Sequence, residues 1–123
     1  MNHSIRKFLI GACIVAAAAA PADAQRQRKT INNPVTQAVF RVYAEQLEAN
    51  PKNYDTLFRR ANDYYHFDEF RRALDDVNRA IECTPARESD YLFREHMLRA
   101  SIYIKTGRRE LALPDLEKAA ALQ

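Results

Sequence analysis

The chain has 123 residues, of which 47% are hydrophobic and 28% charged, and its formal net charge is +3. That length sets one domain as the expectation. So nearly balanced a charge argues against a phosphate-tracking surface, and two cysteines argue against a disulfide framework.

Residues 1–24 read as a secretory signal peptide. Arg6 and Lys7 give a basic start, an apolar run follows from Phe8 to Ala20, and Ala22-Asp23-Ala24 makes a small-residue cleavage site before Gln25. The apolar run is shorter than the ~20 residues a membrane-spanning helix needs. Two alternatives stay open on the same segment. One is an anchor that is never cleaved. The other is lipidation at Cys13, within "IGAC", although the apolar run continues past that cysteine. Cleavage after Ala24 leaves 99 residues with 17 basic and 15 acidic side chains and one cysteine, Cys83. That cysteine is expected to be an inert thiol on an apolar helix side. The predicted destination is the periplasm.

Gln25 to Asn33 is polar and basic and reads as a flexible leader. Asn33-Pro34 then supplies an N-cap with proline at the first helical position. The helix it opens carries Val35, Val39, Tyr43 and Leu47 in period and stops at Asn50-Pro51. Asn53 caps a second helix, "YDTLFRRANDYYHF". A third spans "DEFRRALDDVNRAIECTP", with Asp68 as the expected cap, Pro85 as the stop, and Phe70, Leu74, Val77 and Ile81 on one face. The fourth runs from about Ser89, its expected cap, to Thr106. Gly107 is placed to end it in a left-handed conformation. The fifth starts at Arg108 or Arg109 and contains Pro114, which is expected to kink it or delay its start. No strand alternation and no hairpin turn signal appears. The expectation is all-α, with short connections between antiparallel neighbours.

The chain repeats itself. A shift of 39 lays "LFRRANDYY" (Leu57–Tyr65) on "HMLRASIYI" (His96–Ile104), matching Arg60 to Arg99, Ala61 to Ala100 and Tyr64 to Tyr103. The same shift matches Ala73 to Ala112, Leu74 to Leu113, Asp76 to Asp115 and Ala80 to Ala119. A shift of 34 lays Pro85 on Pro51, Ile81 on Leu47 and Val77 on Tyr43. A helix pair cannot bury its apolar face alone, so pairs stack. The alanines then make room for large residues such as Tyr64 and Phe70.

This pattern of a small residue, a tyrosine, two alanines and a closing proline resembles the tetratricopeptide repeat family, over about Pro34 to Gln123. Ala61, Tyr64, Phe70, Ala73, Ala80 and Pro85 carry it in one repeat, and Ala100, Tyr103, Gly107, Ala112 and Ala119 in the next. The resemblance implies antiparallel helix-hairpin repeats in a right-handed α-solenoid, here about two and a half repeats in five helices. The sequence departs from the family at Leu57 and His96, where a tryptophan or other large residue is usual. It also departs at five extra residues within "ARESDYLFREHM" and at the apolar, proline-free end after Ala119. Either a partner covers that end, or the natural chain is longer.

No pattern points to catalysis. The histidines have no second ligand at metal spacing, there is no glycine-rich phosphate loop, and Asp75-Asp76 look solvated. The expectation is a protein that is not an enzyme and takes no cofactor and no metal. Each arginine doublet has acids nearby: Asp55 and Asp63, Asp68 and Asp75, and Glu110. Solvated ion pairs are therefore expected, with no nucleic acid partner. The resemblance implies protein binding on a concave face lined by the first helices of successive repeats. Carried over by position, that face holds Asp55, Phe58, Asn62, Tyr65 and His66, then Arg94, Met97, Ser101, Ile104 and Lys105. Of these, Phe58, Asn62, Tyr65, Met97, Ser101 and Lys105 are the candidate peptide-binding residues. Packing between helices is the plainer reading for Phe58 and Met97. The family's clamp for C-terminal carboxylates is not expected, because Phe58 stands where it needs a lysine. The alternative function is a self-associating building block that stacks through its C-terminal repeat.

Overall fold

A computed structural model describes residues 31–123; the signal, anchor and lipidation readings of residues 1–24, and the leader up to residue 30, lie outside the described residues. Five helices run between Pro34 and Ala121: α1 (Pro34–Ala49), α2 (Tyr54–His66), α3 (Phe70–Cys83), α4 (Ser89–Lys105) and α5 (Arg109–Ala121). Among the described residues there is no strand, and no helix is long and apolar enough to cross a membrane.

Local chemistry sets the helix ends. The Asn33 side chain accepts from the Val35 amide at 2.8 Å, and Pro34 occupies the first turn, where a missing N–H costs nothing. Asn53 accepts from the Thr56 amide at 3.2 Å. Two expected caps are not formed. Glu69 rather than Asp68 is the N-cap of α3, and Glu88 rather than Ser89 that of α4; neither makes a side-chain capping bond. Asp68 does different work, adopting φ 58 in the turn, while Gly107 has φ 77. These two residues are 39 apart, and their turns match bond for bond. The Asp68 and Glu69 amides donate to the carbonyls of Tyr65 and Tyr64, and the Gly107 and Arg108 amides to those of Ile104 and Tyr103. Both turns thus close their helices through a left-handed residue. Helix α5 starts at Arg109 and continues through Pro114 to Ala121, so the proline does not delay it.

Packing follows from the small residues. Ala61, Ala73, Val77 and Ile102 are fully buried in one cluster with Leu98, and Tyr64, Tyr65 and Phe70 pack on its edge. Leu47, Leu57 and Ala80 form a second cluster, edged by Phe58 and Cys83. Leu57 shares a cluster with Ala80 and Ala61 shares one with Ala73, so α2 and α3 run antiparallel. Cys83 is free and half-buried. Helix α1 lies on α2, α2 on α3, α3 on α4 and α4 on α5, with a further contact between α2 and α4.

Candidate functional site

The candidate face is built by α2 and α4, which touch. Near their N-terminal ends Tyr91 on α4 donates its hydroxyl to Asp55 Oδ1 on α2 at 2.9 Å, and the Tyr91 ring meets Tyr54 edge-on at 5.2 Å. Asp55 also takes the Arg59 guanidinium at 3.0 Å. Beyond this junction, Phe58, Asn62 and Tyr65 follow one another at helical spacing on α2. Met97, Ser101 and Lys105 do the same on α4.

These six residues are unequal in exposure. Phe58 is half-buried and touches both core clusters, so much of its ring serves packing. Asn62 is half-buried. Tyr65 lies against the core edge, with its ring 5.8 Å from Phe70 and 5.5 Å from His66. Met97 and Ile104 stay exposed at 39% and 47%, two turns apart on α4. The Ser101 hydroxyl donates to the Met97 carbonyl at 2.9 Å, and Lys105 is exposed in the last turn.

The buried polar residues were harder to read from sequence. Asp76 is 3% exposed, which corrects its placement among solvated carboxylates; Asp75 beside it is exposed. Arg60 grips Asp76 with both branches of its guanidinium, Nε to Oδ2 at 2.7 Å and Nη2 to Oδ1 at 2.8 Å, rather than pairing with Asp63. The same pair recurs one repeat on. Arg99 donates to the buried Asp115 at 2.8 and 2.7 Å, and His96 Nδ1 meets Asp115 at 2.8 Å. Burial alone would push Asp115 up, but the bonds from Arg99 and His96 outweigh it and hold the group below its usual range. Arg99 also donates to Asn78 at 3.1 Å, tying α4 back to α3. The signal was present: Arg60 and Arg99, and Asp76 and Asp115, fall at one offset.

Glu95 is the second such residue. It is fully buried, and its Oε2 has no hydrogen-bond partner among the described residues. Its Oε1 lies 2.6 Å from Thr84 Oγ1, which is also 2.8 Å from the Ala80 carbonyl. A hydroxyl has one hydrogen. When Thr84 gives it to Ala80, the proton in the short contact must come from a neutral Glu95. Burial pushes this carboxyl up to about 7, against the Thr84 bond. Nothing in the sequence marks it, since the 39-residue offset sets it opposite Thr56.

No family model matches the chain, and no curated protein matches it.

Proposed function

We propose that this chain is a non-catalytic protein-interaction module of the bacterial cell envelope, holding a peptide or helix on the face of α2 and α4. The observation that carries the reading is the exposure of Met97 and Ile104. These large apolar side chains remain exposed on α4, which touches α2, although the core is filled without them. Exposed apolar anchors flanked by polar donors suit a peptide or helix. A tetratricopeptide-type right-handed solenoid belongs to the same proposal, supported by the 39-residue match of alanines, turns and Arg–Asp pairs. The envelope setting is supported by the sequence of residues 1–24.

The experiment places a photo-crosslinking amino acid at Met97, at Ile104 and, as a control on another helix, at the exposed Glu82. Crosslinks in envelope extracts from the first two sites but not from the third support the face. Equal or absent crosslinking at all three sinks it. The N-terminal sequence of the recovered protein tests the envelope reading independently, and Gln25 is the expected first residue.

A second reading is self-association. It is favoured by one observation: Leu113 and Leu116 on α5 are 58% and 37% exposed.

A further inference from the structure

Two apolar stripes lie at opposite ends of the stack. Among the described residues, six of the eight exposed large hydrophobics are on α1 (Val35, Val39, Val42) or α5 (Leu111, Leu113, Leu116). The internal repeat says what each stripe is shaped to do. Helix α3 faces α2 with Ala73, Asp76 and Ala80, all buried. The 34-residue offset puts Val39, Val42 and Gln46 of α1 in those places, where the two valines are 40% and 48% exposed. Shallow hollows run beside them between α1 and α2, walled on the α2 side by Asp55, Arg59 and Asp63. Among the described residues, nothing covers this side of α1. The sequence upstream does not repeat what seats α2, because Gln27 and Thr30 stand where α2 has Ala61 and Tyr64.

At the other end, α3 uses Leu74, Val77 and Ile81 on the core that α4 completes with Leu98 and Ile102. Their equivalents on α5 are Leu113, Leu116 and Ala120. Arg109 and Glu117 flank that stripe at helical spacing, one of each charge. The α1–α2 seat is likewise flanked by charges of both signs: Asp63, which already accepts from Tyr43 at 2.7 Å, and Arg59.

We propose that the α5 stripe of one copy seats in the α1–α2 hollow of a second copy, head to tail. This rests on the self-association reading and adds its geometry. One contact then covers both stripes, whereas like-with-like contacts would need two different interfaces. Arg109 meets Asp63 and Glu117 runs towards Arg59. Because the two surfaces differ, the contact is heterologous and repeats from copy to copy until a ring closes.

The test uses the full chain as the host cell leaves it, with two variants at exposed positions, Val39→Asp and Leu113→Asp. An unpaired charge in an apolar contact weakens association by at least about a hundredfold. Expected by light scattering is a wild type whose mass rises with concentration, while each variant alone stays monomeric. An equimolar mixture of the two variants forms a 1:1 dimer and nothing larger, since one intact contact remains; this also shows both variants to be folded. If the wild type is monomeric throughout, the seat and the self-association reading both fall, and the hollow belongs to upstream residues of the chain or to another protein. If the wild type associates but Val39→Asp does so equally, or the mixture stays monomeric, self-association stands and this seat is overturned.

Discussion

At the scale of single residues, Glu95 makes stability depend on pH in a window where few groups titrate. Its Oε1 lies 2.6 Å from the Thr84 hydroxyl, and burial pushes its carboxyl up to about 7. In an unfolded chain a glutamate titrates near ~4.3. The folded state thus holds the proton more tightly. The contribution is fully present below about 4.3 and is lost as pH rises through about 7. Asp115 acts with the opposite sign: held low, it contributes above its unfolded pKa and loses that contribution in acid. The two effects occupy separate windows. The wild type is therefore expected to lose stability from pH 6 to pH 8. Glu95→Gln stays neutral at every pH and is expected to be the more stable protein at pH 8 by roughly 1–3 kcal/mol, the cost of a buried group left unpaired. Thermal melts of both proteins at pH 6, 7 and 8 check this. Parallel curves would mean that Glu95 does not titrate in this range.

At the scale of elements, the hairpins are close-packed because alanine sits where helices approach. Ala73 is fully buried beside Ala61, with Tyr64 and Phe70 at the cluster edge. Ala73→Leu is expected to destabilise by roughly 1–3 kcal/mol through overpacking, read from denaturant midpoints at unchanged slope. Ala44→Leu, at an exposed position on α1 outside both apolar stripes, is the matched control and leaves the midpoint nearly unmoved. Helix number, order and most ends were legible in the sequence, because periodicity, asparagine caps and prolines act locally. So was the role of Ala61, Ala73 and Ala80, since small residues recurring at one offset point to a packed contact. What was not legible depends on partners distant in sequence. Arg60 and Asp76 look solvated until α2 and α3 fold together, and then both branches of the guanidinium satisfy the buried carboxylate. Asp68 looked like a cap because aspartate favours caps. It instead takes the left-handed turn position that glycine fills one repeat later. Of the candidate face, packing was the plainer reading for both Phe58 and Met97; Phe58 does touch both clusters, whereas Met97 stays 39% exposed.

At the scale of the whole molecule, stability is expected to fall off towards α1. Helices α2 and α4 each have neighbours on more than one side, whereas among the described residues α1 meets α2 alone of the helices. Its attachment is specific but thin. Phe40 stacks on Tyr64 with ring centroids 4.7 Å apart, the Tyr43 hydroxyl donates to Asp63 at 2.7 Å, and Leu47 is its one buried side chain. Burial and the Asp63 bond push the Tyr43 hydroxyl up to about 12, so that anchor stays protonated at any physiological pH. Repeats of this kind gain stability from nearest-neighbour contacts, and an end element gains it on one side only. Native-state hydrogen exchange should therefore release α1 amides first, at an opening free energy well below that of α2 and α3. Occupation of the α1–α2 hollow by a second copy would reverse this order by giving α1 a second neighbour. Exchange measured at low and high protein concentration separates the cases. Protection of α1 that rises with concentration while α3 stays constant is the expected signature of a filled seat, and protection of α1 equal to that of α3 at high dilution would show that α1 is held by something within its own chain.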